Sequence, residues 1–231
     1  MKKILFTLLN LLIFSTLNAQ ITDPKATELW EPEPRAVVAQ EGKIPSDAVV
    51  LFDGTNLDAW QNAYADKPAE WTVADGAMTV KPGTGDIRTK EKFGDIQLHL
   101  EFRTPAKIDG EGQGRGNSGV FLQNRYEIQI LDSYKNRTYS NGQAGAVYKQ
   151  SIPLVNASRS PGTWQTYDII YTAPRFNQDG IRTAPGYVTV LHNGILIQNH
   201  TQIEGTTEYI GLPKMPPTAM ILSNCKTTVT R

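Results

Sequence analysis

The chain has 231 residues, 39% of them apolar, and 23 Lys and Arg against 23 Asp and Glu. A balanced charge excludes the basic stripe that nucleic acid or an anionic membrane surface selects. The single cysteine, Cys225, excludes an intrachain disulfide, and the three histidines lack the spacing of a zinc motif.

Lys2 and Lys3 precede an apolar run from Ile4 to Leu17, which closes on the small-residue site Leu17-Asn18-Ala19. That is the pattern of a bacterial secretory signal peptide over residues 1–19, cut after Ala19. It predicts a periplasmic or secreted protein. The run is too short for a comfortable span and lacks a stop-transfer flank, so no membrane insertion is expected after its removal. No cysteine follows it to carry a lipid. Loss of Lys2 and Lys3 leaves the mature chain slightly acidic and long enough for one domain with a sizeable core. Residues 20–47, with Pro24, Pro32, Pro34 and Pro45, read as an extended arm.

From Ala48 the pattern turns to short strands. Ala48 to Phe52 is an apolar run closed by Asp53-Gly54. Trp71 to Val80 holds two β runs broken by Asp75-Gly76. Asp95 to Arg103 alternates, with Ile96, Leu98, Leu100 and Phe102 facing one way and Gln97, His99, Glu101 and Arg103 the other. Residues 109–116 are a glycine-rich loop. Ser118–Leu122 and Tyr126–Leu131 are strands joined by Gln123-Asn124-Arg125. Thr166–Thr172 is another strand. Asn193-Gly194 turns a hairpin between Tyr187–His192 and Ile195–His200. Many short strands without a helix predict an all-β fold, a two-sheet antiparallel jelly-roll sandwich.

The alternation in Tyr126–Asp132 sends Ile128 and Ile130 to the core and Glu127 and Gln129 to the opposite face. On the preceding strand it sends Val120 and Leu122 inward, and Phe121 and Gln123 outward. A carboxylate, amides and an aromatic ring on one face suit a sugar, whose hydroxyls need polar partners and whose ring face needs an apolar floor. An ordinary solvated sheet face has the same pattern. Asn117 ends a glycine-rich loop that lacks the Lys-Ser/Thr ending of a phosphate cradle. Tyr148 and Lys149 are candidate proton donors or binding groups, and His99 is a candidate to join the site. Trp164 is expected in the core, and His192 and His200 need no special role. A glycosidase needs two carboxylates flanking the bond, but Glu127 and Asp132 fall on opposite faces.

Seven segments now stand in order: LFDGTNLDAW at Leu51–Trp60, GDIQLHLEFR at Gly94–Arg103, NSGVFL at Asn117–Leu122, YEIQILD at Tyr126–Asp132, GAVY at Gly145–Tyr148, WQTYD at Trp164–Asp168 and HNG at His192–Gly194. From Ala48 to about Pro213 the chain closely resembles the 3-keto-disaccharide hydrolase domain family. The resemblance implies a concanavalin-like jelly roll over residues 48–217. It also implies a keto-sugar substrate: a glycoside already oxidised at C3 by a partner sugar 3-dehydrogenase. The ketone acidifies the C2 proton, a base removes it, the C1 substituent leaves, and water adds back. Glu127 is the implied base, with Gln129, Asn117, Tyr148 or Lys149 holding the oxygens. A divalent metal could stabilise the enolate, but no ligand set demands one. The other readings of the residues are a non-catalytic carbohydrate-binding module and an adhesion domain.

The end of the chain departs from the family. Members finish with a segment like Gly-Pro-Ile-x-Leu-Gln-Asp-His-Gly-Asn-Pro, which Pro217–Arg231 does not match. Codons for Ser223–Arg231 can be chosen that, one frame away, encode Gln-Leu-Gln-Asp-His-Gly-Asn-Pro. The resemblance therefore implies an out-of-frame tail over residues 218–231, with no role for Cys225 and part of the sheet missing. Sequencing the locus tests this: an uninterrupted in-frame gene with other codons there removes the idea.

Overall fold

The computed structural model describes residues 22–210. The signal peptide expected at 1–19 and the tail expected at 218–231, Cys225 included, lie outside the described residues. The chain divides into two units between Val49 and Val50.

Among its described residues the first unit carries one 3-10 turn, Pro24–Thr27. Proline presets its φ, and Asp23 caps it by accepting a hydrogen bond from the Lys25 amide at 3.0 Å. The remainder is irregular, tied by an Arg35–Asp47 ion pair at 2.8 Å.

Among the described residues the second unit holds twelve strands: β1 (Trp60–Asn62), β2 (Thr72–Ala74), β3 (Ala77–Thr79), β4 (Ile87–Thr89), β5 (Ile96–Phe102), β6 (Asn117–Leu122), β7 (Tyr126–Leu131), β8 (Gln165–Thr172), β9 (Arg175–Phe176), β10 (Arg182–Ala184), β11 (Gly186–His192) and β12 (Ile195–Ile203). A four-stranded antiparallel sheet runs in the order β12-β11-β8-β5. The β6–β7 pair lies across from it, and the two form a β sandwich. Period-two alternation explains the core between them. Val120 and Leu122 on β6 and Tyr126, Ile128 and Ile130 on β7 meet Phe102 on β5, Tyr167, Ile169 and Tyr171 on β8, Val188 and Val190 on β11 and Ile197 on β12 from the opposite sheet. Each such side chain, fully buried, contributes about 1.5–3 kcal/mol through area removed from water. The phenol of Tyr167, deep in this core, donates to the Gln129 carbonyl at 2.8 Å and so bolts one sheet to the other.

A smaller cluster of Trp60, Trp71 and Ile87 sits under the short pairs β1–β4 and β2–β3. Both indoles are satisfied: Trp60 donates to the Leu51 carbonyl at 2.6 Å, and Trp71 to that of Gly85 at 3.0 Å. That use of Leu51 explains one difference from the sequence. Ala48 to Phe52 forms no strand, because Leu51 gives its side chain to this cluster and its carbonyl to an indole rather than to a ladder. Trp164 also differs from expectation. It is 42% exposed, with the Arg103 guanidinium 4.8 Å above its ring, so it stacks at the surface instead of filling the core.

Candidate functional site

β6 and β7 pair in the register Phe121↔Glu127 and Gly119↔Gln129, which puts these four residues on the face turned away from the core. A third segment continues this sheet. Ile128 bridges Val147, the Tyr148 amide donates to the Glu127 carbonyl at 3.0 Å, and the Gln129 amide donates to that of Ala146 at 3.0 Å. In this antiparallel register Tyr148 lies opposite Glu127. Phe121, Glu127 and Tyr148 therefore form one row across three chain segments, with Gly119, Gln129 and Ala146 in the next.

This face is not solvated. Glu127 is 9% exposed and Gln129 1%, which removes the reading of an ordinary wet sheet surface. The cover comes from loops. The 3-10 turn Gly112–Gly114 brings Gln113 over the sheet, where its side-chain oxygen accepts from Gln129 Nε2 at 3.0 Å and from Asn117 Nδ2 at 3.3 Å. Gln113 in turn donates to Thr138 Oγ1 at 3.1 Å and to the Gly142 carbonyl at 2.9 Å. Turned end over end, the Gln129 amide nitrogen instead meets Glu127 Oε1 at 3.1 Å and the Ser118 carbonyl at 2.8 Å.

Glu127 is buried without a cation. Among the described residues, none of the ion pairs includes it. Burial alone pushes its carboxyl up from 4.5 to about 7, since a lone charge is poorly solvated there. Its side chain lies flat over Gly119, where an added Cβ would stand 2.4 Å from Oε1 and 2.9 Å from Cδ. The sheet thus leaves one residue bare so that the acid can rest on backbone.

Beside Glu127, the Tyr148 hydroxyl meets that of Tyr139 at 2.6 Å. Burial, the bond to Tyr139 and the negative charge of Glu127 all hold the Tyr148 phenol above its ordinary range, so it keeps its proton. Lys149 takes a left-handed φ of 59°. Its ammonium lies 5.7 Å from the ring centre of Tyr139, 5.8 Å from Tyr148 and 4.7 Å from Tyr209, and it donates to the Tyr209 carbonyl. A base that titrates near neutrality, two linked phenols, a cation and an amide network thus share one face, an arrangement able to move protons on a bound molecule.

Of the predicted site residues, the structure brings together Glu127, Gln129, Asn117, Phe121, Tyr148 and Lys149. It does not bring two others. Gln123 sits at φ 51° in the β6–β7 turn, followed by Asn124 at 57°, and this left-handed pair aims its side-chain oxygen at the Tyr171 phenol, 2.9 Å away. His99 lies on β5 in the other sheet, its Nδ1 2.7 Å from Asp168 Oδ1, with both side chains largely exposed. Asp132 pairs with Arg115 inside the fold, both side chains under 10% exposed. Asn156 lines a polar surface depression with Ser133, Lys135 and Arg137, which holds none of the predicted site residues. Gln113 and Tyr139 were missed. Both come from irregular loops, and the only signal for either was the run of glycines before Asn117. Among the described residues no three His, Cys, Asp or Glu side chains gather as a metal site would need.

Against known proteins, the family model described as the 3-keto-alpha-glucoside-1,2-lyase-like domain matches residues 47–221. A 2.13 Å crystal structure of a candidate glycosyl hydrolase from Parabacteroides distasonis ATCC 8503 is 49% identical. The match covers 90% of this chain and 87% of that one, with a TM-score of 0.80. Two further crystal structures of candidate glycosyl hydrolases from the same organism are 20% and 23% identical, with TM-scores of 0.47 and 0.48. They cover 64% and 77% of this chain, and 70% and 87% of their own. No curated protein matches.

Proposed function

The chain belongs to the family of 3-keto-alpha-glucoside-1,2-lyase-like domains, and from that premise we propose that it cleaves glycosides already oxidised to a ketone at C3. Glu127 takes the proton from C2, which the neighbouring ketone has made acidic. The charge passes to the enolate oxygen, and the C1 substituent leaves by elimination. Addition of water to the resulting enone completes hydrolysis. This route needs one base rather than the carboxylate pair of an ordinary glycosidase, and Asp132, held by Arg115, is not free to serve as a second.

The observation that carries this reading is Glu127, buried with no cation paired to it among the described residues. A carboxyl raised to about 7 is far more basic than an exposed glutamate yet still ionised in half its copies near neutrality, which suits it to a carbon acid. A module that only bound sugar would gain nothing from such a group. Gln129 and Asn117 offer amides to the sugar oxygens, Phe121 offers a ring face, and Tyr148 offers a hydroxyl. In the same proposal the protein is exported after removal of its signal peptide, and a sugar 3-dehydrogenase supplies its keto-sugar.

The test uses purified protein and a 3-keto-glucoside with a chromogenic leaving group. Turnover is expected, with kcat/KM rising with pH through about 7 as Glu127 ionises. Glu127→Gln should lower kcat by about a hundred-fold or more. Undiminished release by that variant removes Glu127 as the base, and sugar binding without turnover by the unaltered protein supports a binding module instead.

A further inference from the structure

The least explained part of the site is the pair of touching phenols. Tyr148 is 8% exposed and Tyr139 40%, so the two hydroxyls, 2.6 Å apart, form a short path from the buried row to solvent. The path is built. Gly142 has no left-handed φ that would require glycine. The place where its Cβ would stand lies 2.1 Å from Tyr139 Cε2 and 2.8 Å from Cζ. Any other residue there would push the Tyr139 ring off its seat. The Lys149 amide donates to the Asn141 carbonyl at 2.8 Å, which holds that turn against the end of the segment that bridges β7 at Val147. The Lys149 ammonium then stands within 6 Å of both ring centres, where its charge favours any phenolate that forms.

Resting on the C3-ketone reading above, we propose that Tyr148 protonates the departing oxygen at C1 and that Tyr139 is the positioning and relay residue that resupplies it. As the C1–O bond breaks, its electron pair stays with the leaving oxygen, and that oxygen takes the Tyr148 proton. Tyr148 takes the proton of Tyr139, and Tyr139 takes one from water. The C2 proton held by Glu127 returns to water, so glycoside becomes enone plus alcohol with no net change in protons and no redox step. The need for this proton depends on the leaving group. A nitrophenolate departs unaided, whereas an alkoxide does not. The relay therefore implies that the site is built for sugar or alkyl leaving groups rather than acidic phenols.

The test measures kcat and KM on 3-keto-glucosides with leaving groups graded from nitrophenol to simple alcohols. Tyr139→Phe removes one hydroxyl and keeps the ring beneath Lys149. The expected result is a loss of roughly ten- to a hundred-fold in kcat on alkyl substrates, little loss on the nitrophenyl one, and unchanged KM. Gly142→Ala, which displaces the ring, should reproduce the pattern if Tyr139→Phe folds poorly. An equal loss across the series, or none, overturns the relay while leaving the C3-ketone reading intact. Failure of the unaltered protein to release nitrophenol overturns that reading and the relay with it.

Discussion

Glu127 and His192 are both ionisable groups enclosed by the fold, and burial works on them in opposite directions. Glu127 rises from 4.5 to about 7. Between those values the unfolded chain has released the proton and the native chain still holds it, so stability falls as pH rises, by about 3 kcal/mol in all. His192 is 1% exposed, its Nε2 2.8 Å from Gln165 Oε1, and burial, then the charge of Arg159, drives it down from 6.5 to about 4. Between those values the unfolded chain binds the proton first, so stability rises with pH by a similar amount. The two windows overlap and largely offset each other. Glu127→Gln should therefore show a melting temperature that climbs between pH 4.5 and 6.5, where the unaltered protein changes little, and should be the more stable of the two above neutrality. Parallel curves for the two proteins would mean that Glu127 titrates as in an unfolded chain. Period two was enough to put Glu127, Gln129 and Phe121 on one face. It could not reveal the burial of Glu127 and Gln129, because Gln113, which bonds Gln129, comes from a loop with no pattern. Nor could it tell one sheet from the other, and so His99 was grouped with residues it never meets.

The element that completes the site is the four-residue segment Gly145–Tyr148. It was not legible as a strand: it is too short to alternate and is apolar almost throughout. Its place depends on Gly145, which has a φ of +80°, and a Cβ there would stand 2.0 Å from Ile197 Cδ1. Gly145→Ala thus combines a left-handed strain with overpacking and should cost roughly 2–4 kcal/mol. It should also move Tyr148 and reduce turnover. Gly194→Ala is the matched control, since Gly194 has a φ of +78° with nothing within 4 Å of the added carbon. Strain alone should cost about 1 kcal/mol and leave turnover unchanged. Thermal melts and kcat on both variants decide it; equal losses would show that packing against Ile197 does not position the segment. The hairpin at Asn193-Gly194 was legible for the opposite reason. Its turn residues carry their own conformational preference, and the strand that enters it, β11, alternates.

Across the whole second unit, the alternating apolar residues of β5, β7 and β11 announced a sandwich, and the core holds those same residues. The second cluster was less legible, because the runs around it are three residues long and show no period. That cluster has an experimental consequence. All four tryptophans are among the described residues, and none belongs to the sandwich core. Trp60 and Trp71 anchor the small cluster, while Trp30 and Trp164 are exposed. The sandwich core contains Tyr126, Tyr167 and Tyr171 instead. Tryptophan emission during denaturation therefore reports the small cluster, and near-ultraviolet dichroism of tyrosine reports the sandwich. Ile128→Ala, expected to cost about 2–5 kcal/mol, should move the tyrosine transition and leave the tryptophan transition in place; movement of both together would mean that the clusters melt as one. A laboratory that followed only the brightest fluorophore would record a stability that is not the stability of the fold around Glu127.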